Sequence, residues 1–291
     1  MFFNIRKDKY KTGHTHTFAG INMNETEKTN FAEEYYKRQV TMKEIGNKGQ
    51  QKLSKSRVAI VGVGGLGTVS ALYLTLAGVG YIRVIDHDTI EPHNLHRQIL
   101  YTPDNLHQPK AKIAANRLQQ INPLIKVEAV TEKIQPNNTE RLLTEVDCVV
   151  DGLDNMQTRY TINRACVKTN TPYIFGAATG MEGNLTVFTP PKTGCLECLI
   201  PNHPTTTAKE EDTQIQTQNT TRGVIGATPG IIGSLQAIET IKLLTNTKTN
   251  LKGKLLICDF TDMDFTTINL TKNTQCPTCH NKNSKNTKTN Y

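Results

Sequence analysis

The chain has 291 residues, enough for one large α/β domain or two small ones, with 36% hydrophobic residues, no tryptophan and a net charge of +8. Residues 1–20 lack the apolar segment of a secretory signal, and no apolar run approaches the ~20 residues of a membrane span, so a cytoplasmic protein without membrane contacts is expected. The charge sits at the ends: five Lys/Arg against three Asp/Glu in residues 1–30, and four Lys without an acid in 271–291, leave 25 against 23 in between, which argues against specific nucleic-acid binding.

Residues 1–30 and 281–291 are rich in Asn, Thr and Lys. Neither segment buries enough apolar surface to offset its ordering entropy, so both are expected as mobile tails around one domain at 31–280. Residues 57–63 form a continuous apolar run, as a strand covered on both faces requires. A glycine turn and a helix at 68–77 follow, then a strand at 81–86. Apolar residues Ile113, Ala114, Leu118 and Ile121 give helical spacing over 110–121, which ends at Asn122-Pro123. Strands at 125–130, 147–151 and 173–175 alternate with helices at 139–144 and 155–168. The alternation predicts an α/β fold with a Rossmann-like, doubly wound, mostly parallel sheet. Strand patterns at 184–188, 255–259 and 265–270, with one long helix at 230–244, predict antiparallel strands extending it. Residues 203–222 are polar and Thr/Gln-rich, longer than ordinary connections, and are expected as a functional flap or a partly disordered segment.

The turn Gly62-Val63-Gly64-Gly65-Leu66-Gly67 follows a strand and opens a helix, and Asp86 ends the next strand about 20 residues on. Glycines there permit close approach of backbone N–H groups to phosphate, and an acid at that distance accepts from ribose hydroxyls. NAD and ATP both fit such a cradle. Asn94, Arg97 and Lys110 come shortly after Asp86. A triphosphate attacked at its α-phosphorus needs cations for the charge that builds on the leaving pyrophosphate, whereas backbone amides can largely hold a dinucleotide. These residues therefore favour ATP over NAD.

Longer stretches carry a specific resemblance. Tyr36-Lys37-Arg38-Gln39, the glycine turn, Leu76-Ala77-Gly78-Val79-Gly80, Asp86-His87-Asp88, Asn94-Leu95-His96-Arg97-Gln98, Gln108-Pro109-Lys110, Asp151-Gly152-Leu153-Asp154-Asn155 and the segment from Gly233 to Glu239 resemble the ThiF/MoeB/HesA adenylyltransferases, relatives of the E1 activating enzymes. The likeness spans 32–280. It implies that Asp86 binds ribose, that Asn94, Arg97 and Lys110 hold the triphosphate of the substrate ATP, and that Asp154 holds Mg²⁺ opposite the α-phosphate. Arg38 would reach into a neighbouring subunit's site, making the working unit a homodimer. The implied reaction adenylylates the C-terminal glycine carboxylate of a ubiquitin-like sulfur-carrier protein ending in Gly-Gly. Two other readings remain: an inactive scaffold of the same family, and an NAD-dependent oxidoreductase.

Cys195-Leu196-Glu197-Cys198 and Cys276-Pro277-Thr278-Cys279 are two CxxC knuckles in a chain without a secretion signal. Four sulfur ligands with no open position predict a structural Zn²⁺. Cys148, Cys166 and Cys258 lie in apolar contexts and read as inert core thiols. Some relatives carry a reactive cysteine where this chain has Asn219, which can form neither a thioester nor a persulfide. The adenylate is therefore expected to pass to a separate sulfur donor, and no rhodanese-like domain is expected after His280.

Overall fold

The computed structural model describes residues 24–202, 223–248 and 251–280. The strands are β1 (Arg57–Val61), β2 (Tyr81–Ile85), β3 (Lys126–Val130), β4 (Cys148–Asp151), β5 (Tyr173–Thr179), β6 (Glu182–Phe188), β7 (Lys254–Asp259) and β8 (Asp264–Asn269). The described helices are α1 (Glu25–Tyr35), α2 (Lys37–Val40), α3 (Gly46–Lys55), α4 (Gly65–Leu76), α5 (Lys110–Ile121), α6 (Thr139–Leu142), α7 (Met156–Thr169), α8 (Leu196–Leu199) and α9 (Ala227–Thr245). The strands make one sheet in the order β3-β2-β1-β4-β5-β6-β7-β8. Pairing from β3 through β5 is parallel, and from β5 through β8 antiparallel, as the sequence pattern predicts.

Period-2 alternation sends Val58 and Ile60 to one face of β1 and Ala59 and Val61 to the other, and both faces are covered. The first pair packs with Leu53, Leu74, Ile82, Val84 and Leu118. The second packs with Ile85, Val149, Ile162, Tyr173 and Phe188. Helix α9 lies against α4, β5 and β6, which places the antiparallel extension beside the Rossmann half.

Several limits shift for local reasons. Helix α4 starts at Gly65, not 68, because the glycine turn itself forms its first turn, with Thr68 N donating to Gly64 O at 3.0 Å. Strand β5 continues to Thr179 because β6 pairs with it along its whole length, Thr179 opposite Glu182. Helix α9 starts at Ala227, with Pro229 in the first turn, where its missing N–H costs no helical bond. The expected boundary between a tail at 1–30 and a domain at 31 falls inside α1. That helix is closed by a capping box: Asn24 Oδ1 accepts from Glu27 N at 2.9 Å, and Glu27 Oε2 accepts from Asn24 N at 2.8 Å. Residues 1–23 and 281–291, the 203–222 segment and Asn219 lie outside the described residues. None of the described helices is long and apolar enough to cross a membrane.

Candidate active site

The strand order reverses at β1, so the loops after β1 and β4 diverge and leave a crevice at their carboxyl ends. Gly62 there has φ +85°, a conformation that a side chain disfavours. A Cβ on Gly67 would stand 1.9 Å from Gly62 O, and one on Gly152 2.0 Å from the same oxygen. Gly67 thus packs the glycine turn onto the β4 loop and does not line the crevice. Tyr101 Oη donates to Val63 O at 2.9 Å and holds the turn from the other side.

The crevice is a cleft of about 1160 Å³ whose walls include Gly62, Gly64, Gly65, Asp86, Asn94, Arg97, Lys110 and Asp154. Asp86 is buried at the end of β2. Its Oδ2 accepts from Val63 N at 2.9 Å and its Oδ1 from Asp88 N at 2.8 Å, leaving lone pairs on both oxygens. Burial raises its carboxyl above the usual range, against the lowering effect of those two amides and of Lys110. Lys110, itself buried, donates from Nζ to Asp88 Oδ2 at 3.0 Å. Asn94 Oδ1 caps its own turn by accepting from Glu91 N at 3.0 Å, which leaves Nδ2 without a partner among the described residues. Arg97 is steadied by His93 O at 2.7 Å from Nη1 and makes no ion pair among them. Asp154 is exposed, and its one hydrogen bond there is from Asn155 Nδ2 at 3.5 Å. Three polar or cationic groups and a carboxylate with no cationic partner among the described residues therefore line one cleft. Asp86 and Asp154 are acids able to meet a ribose or a metal ion, and Asp88 also lines the cleft, its carboxylate within 4.8 Å of ligand atoms on Asp86 and His87.

Behind Asp154 lies a buried network that the sequence pattern does not predict. Asp151 is fully buried at the end of β4; its Oδ2 accepts from Arg159 Nε at 2.9 Å and Tyr173 Oη at 2.7 Å, and its Oδ1 from Leu153 N at 2.9 Å. Arg159 Nη2 also donates to Leu153 O at 2.6 Å and Gly176 O at 2.8 Å. The loop carrying Asp154 is thereby fixed to β5 and α7. A charged residue at the end of the apolar 147–151 run, followed by an arginine in the next helix, was the available sequence signal. Strands β5 and β6 supply a further wall through Ala177, Thr179, Glu182 and Asn184, which no motif in the sequence marks.

Arg38 is not brought to this cleft. It is exposed on α2, between two pinned neighbours. Asn122 Nδ2 donates to Tyr36 Oη at 2.8 Å, and Gln39 Nε2 donates to Ala77 O at 2.9 Å.

Cys195, Cys198, Cys276 and Cys279 form a separate cluster, their sulfurs all within 4.8 Å of one another. Cys195 Sγ and Cys276 Sγ are 3.7 Å apart, Cys198 Sγ and Cys279 Sγ 3.4 Å. Two sulfurs at ~2.3 Å on a tetrahedral zinc stand about 3.8 Å apart, so the donor set and its spacing fit that metal. Burial above all, with the neighbouring cysteines adding to it, pushes the Cys195 thiol up to about 12. Glu197 of the first knuckle accepts from Thr278 of the second and from Arg164 Nη2 at 2.6 Å, which ties the two knuckles together.

The fold and cleft define a Rossmann-like nucleotide-type site with clustered cations and a free carboxylate. The ThiF family matches residues 36–278, and the chain belongs to that family. The sulfur carrier protein adenylyltransferase of Thermus thermophilus is 37% identical over 249 residues, covering 84% of this chain and 89% of that protein. The sulfur carrier protein ThiS adenylyltransferase of Escherichia coli is 40% identical over 250 residues, covering 86% and 96%. The adenylyltransferase and sulfurtransferase MOCS3 of Arabidopsis thaliana is 38% identical, over 87% of this chain but 53% of its own length. Among solved structures, E. coli MccB with MccA-N7isoASN has a TM-score of 0.76 at 24% identity, over 87% of this chain and 76% of that one, a likeness of fold.

Proposed function

We propose that this adenylyltransferase uses ATP to activate the C-terminal glycine carboxylate of a ubiquitin-like sulfur-carrier protein, forming acyl-adenylate and releasing pyrophosphate. The observation that carries the reading is the convergence on one cleft of the buried acid Asp86, the groups Asn94, Arg97 and Lys110, and the free carboxylate Asp154. Asp86 accepts from the ribose hydroxyls. Asn94 Nδ2, Arg97 and Lys110 donate to the triphosphate, with Lys110 exchanging Asp88 for phosphate oxygens. Asp154 holds Mg²⁺, which when bound offsets charge on the phosphates. The carrier's carboxylate, ionised near neutral pH, attacks the α-phosphorus, and the bond to the bridging oxygen of pyrophosphate breaks. No side chain of the enzyme needs to act as nucleophile: the residues align the two groups and stabilise the leaving charge. The adenylate then passes to a separate sulfur donor. The test is the mass of a Gly-Gly-ended carrier after incubation with ATP and Mg²⁺, where the adenylyl group should be found on its last residue.

The working unit in this reading is a homodimer with Arg38 serving the partner's cleft. Two observations support it. Arg38 is exposed and absent from its own cleft, while α4 and α9, which pack on one another, leave Tyr73, Leu76, Ile231 and Ile238 exposed.

The cysteine cluster holds Zn²⁺ as a structural staple, supported by the sulfur spacing and by the lack of an open position. Purified protein should carry about one zinc per chain. Cys276→Ser should lower both the zinc content by elemental analysis and the melting temperature. Metal-free protein of equal stability would remove the assignment.

A further inference from the structure

Gln98 carries a carboxamide that the fold leaves unfinished. The side chain is 3% exposed, lines the cleft, and its Oε1 is buried without a hydrogen-bond partner. Nε2 likewise makes no hydrogen bond among the described residues. A Cβ on Gly64 would meet that nitrogen at 3.8 Å and Gly152 O at 3.7 Å. The amide therefore stands where the glycine turn and the loop leading to Asp154 come together. Its backbone is fixed, with N donating to Asn94 O at 3.1 Å and O accepting from Tyr101 N at 3.2 Å. Oε1 is the buried atom, while Nε2 is a donor without a partner on the side of Gly64, where a ligand in the cleft can accept from it. Phosphate oxygens only accept, so a phosphate selects the NH₂.

We propose that Gln98 is a substrate-contacting residue whose Nε2 donates to a non-bridging oxygen of the α-phosphoryl group of ATP, an inference that rests on the ATP reading of the cleft. Position gives the α-group its preference. Asp86, at the ribose, is bonded to the residue before Gly64, and Asp154 follows Gly152 by two residues, so the amide stands beside the turn bonded to the ribose acid and the loop leading to the metal-holding acid. The bond persists from ATP to the acyl-adenylate, since the α-phosphoryl group is kept in both. Its donor strengthens as charge grows on the oxygens of the five-coordinate phosphorus.

The test is equilibrium binding of ATP, AMP and adenosine to full-length wild-type, Gln98→Leu and Gln98→Glu proteins, with melting temperatures measured alongside. Leucine keeps the volume and removes the donor; glutamate keeps the shape and sets a carboxylate against phosphate. Gln98→Leu should weaken ATP and AMP by the same factor, about tenfold, as for a lost hydrogen bond to a charged group, and leave adenosine unchanged. Gln98→Glu should weaken both nucleotides further and again spare adenosine. A loss confined to ATP would move the contact to the outer phosphates and overturn the proposal. So would equal losses for all three ligands, the mark of a structural role, or no loss at all. Wild-type protein that binds none of the three would defeat the ATP reading itself, an outcome distinct from a change specific to position 98.

Discussion

Asp154→Ala should slow carrier-dependent exchange of pyrophosphate into ATP by about 10²-fold or more, while the melting temperature stays near that of the wild type. The side chain is exposed, and its one hydrogen bond among the described residues is a long one from Asn155, so little of the fold depends on it. Its carboxylate also makes no ion pair among the described residues, leaving its charge available to a metal ion. Arg97→Ala should show the same pattern. That guanidinium contacts His93 O and His96 Nε2 through Nη1 and makes no ion pair among the described residues, so its charge is available to whatever enters the cleft. Unchanged exchange in both variants would favour an inactive scaffold or an NAD site on the same glycine turn.

Arg159→Ala should cost about 3–5 kcal/mol of folding stability in urea titrations, because it leaves Asp151 as an uncompensated buried charge. The pair is 8% and 0% exposed, so solvent screens it little. Replacing both partners by apolar residues of similar size should cost much less than the single change, since the expensive element is the orphaned carboxylate. A pH dependence follows. Burial raises the Asp151 carboxyl above its usual range, with Arg159 the largest opposing influence. Removing the guanidinium raises it further. A carboxyl whose folded pKa exceeds its unfolded value binds its proton more tightly in the fold, so this carboxyl costs stability as pH rises from the unfolded pKa to the folded one. The deficit of Arg159→Ala should therefore narrow as pH is lowered. A loss below about 1 kcal/mol, the scale of an exposed pair, would mean that Asp151 is not held by Arg159.

The parallel half of the fold was legible because β1 and β4 are continuous apolar runs separated by a glycine turn and helical stretches, signals that are local in the chain. Helix α1 was not, because its sequence buries nothing; what closes it is the Asn24–Glu27 capping box, which a composition argument passes over. The cleft residues Asp86, Asn94, Arg97, Lys110 and Asp154 each stand near a recognisable turn, and the structure brings them to one space. Sequence spacing could not place Arg38, which is exposed on α2 and does not line this cleft. It also gave no warning that Asp151 and Arg159 meet, or that Gln98 Oε1 ends up buried with no partner among the described residues. Such pairings arise only when β4, α7 and β5 are packed. The glycine turn illustrates a double use: Gly67 and Gly152 are required by contact with Gly62 O, whether or not a phosphate is bound.

The most direct test of the central claim is mass spectrometry of a ubiquitin-like carrier ending in Gly-Gly, incubated with this protein, ATP and Mg²⁺ under conditions that preserve acyl-adenylates. The carrier should gain one adenylyl group on its terminal glycine, lose it to added hydroxylamine as the hydroxamate, and gain nothing when that glycine is removed. Carrier recovered unmodified, from protein shown to bind both ATP and the carrier, would contradict the account.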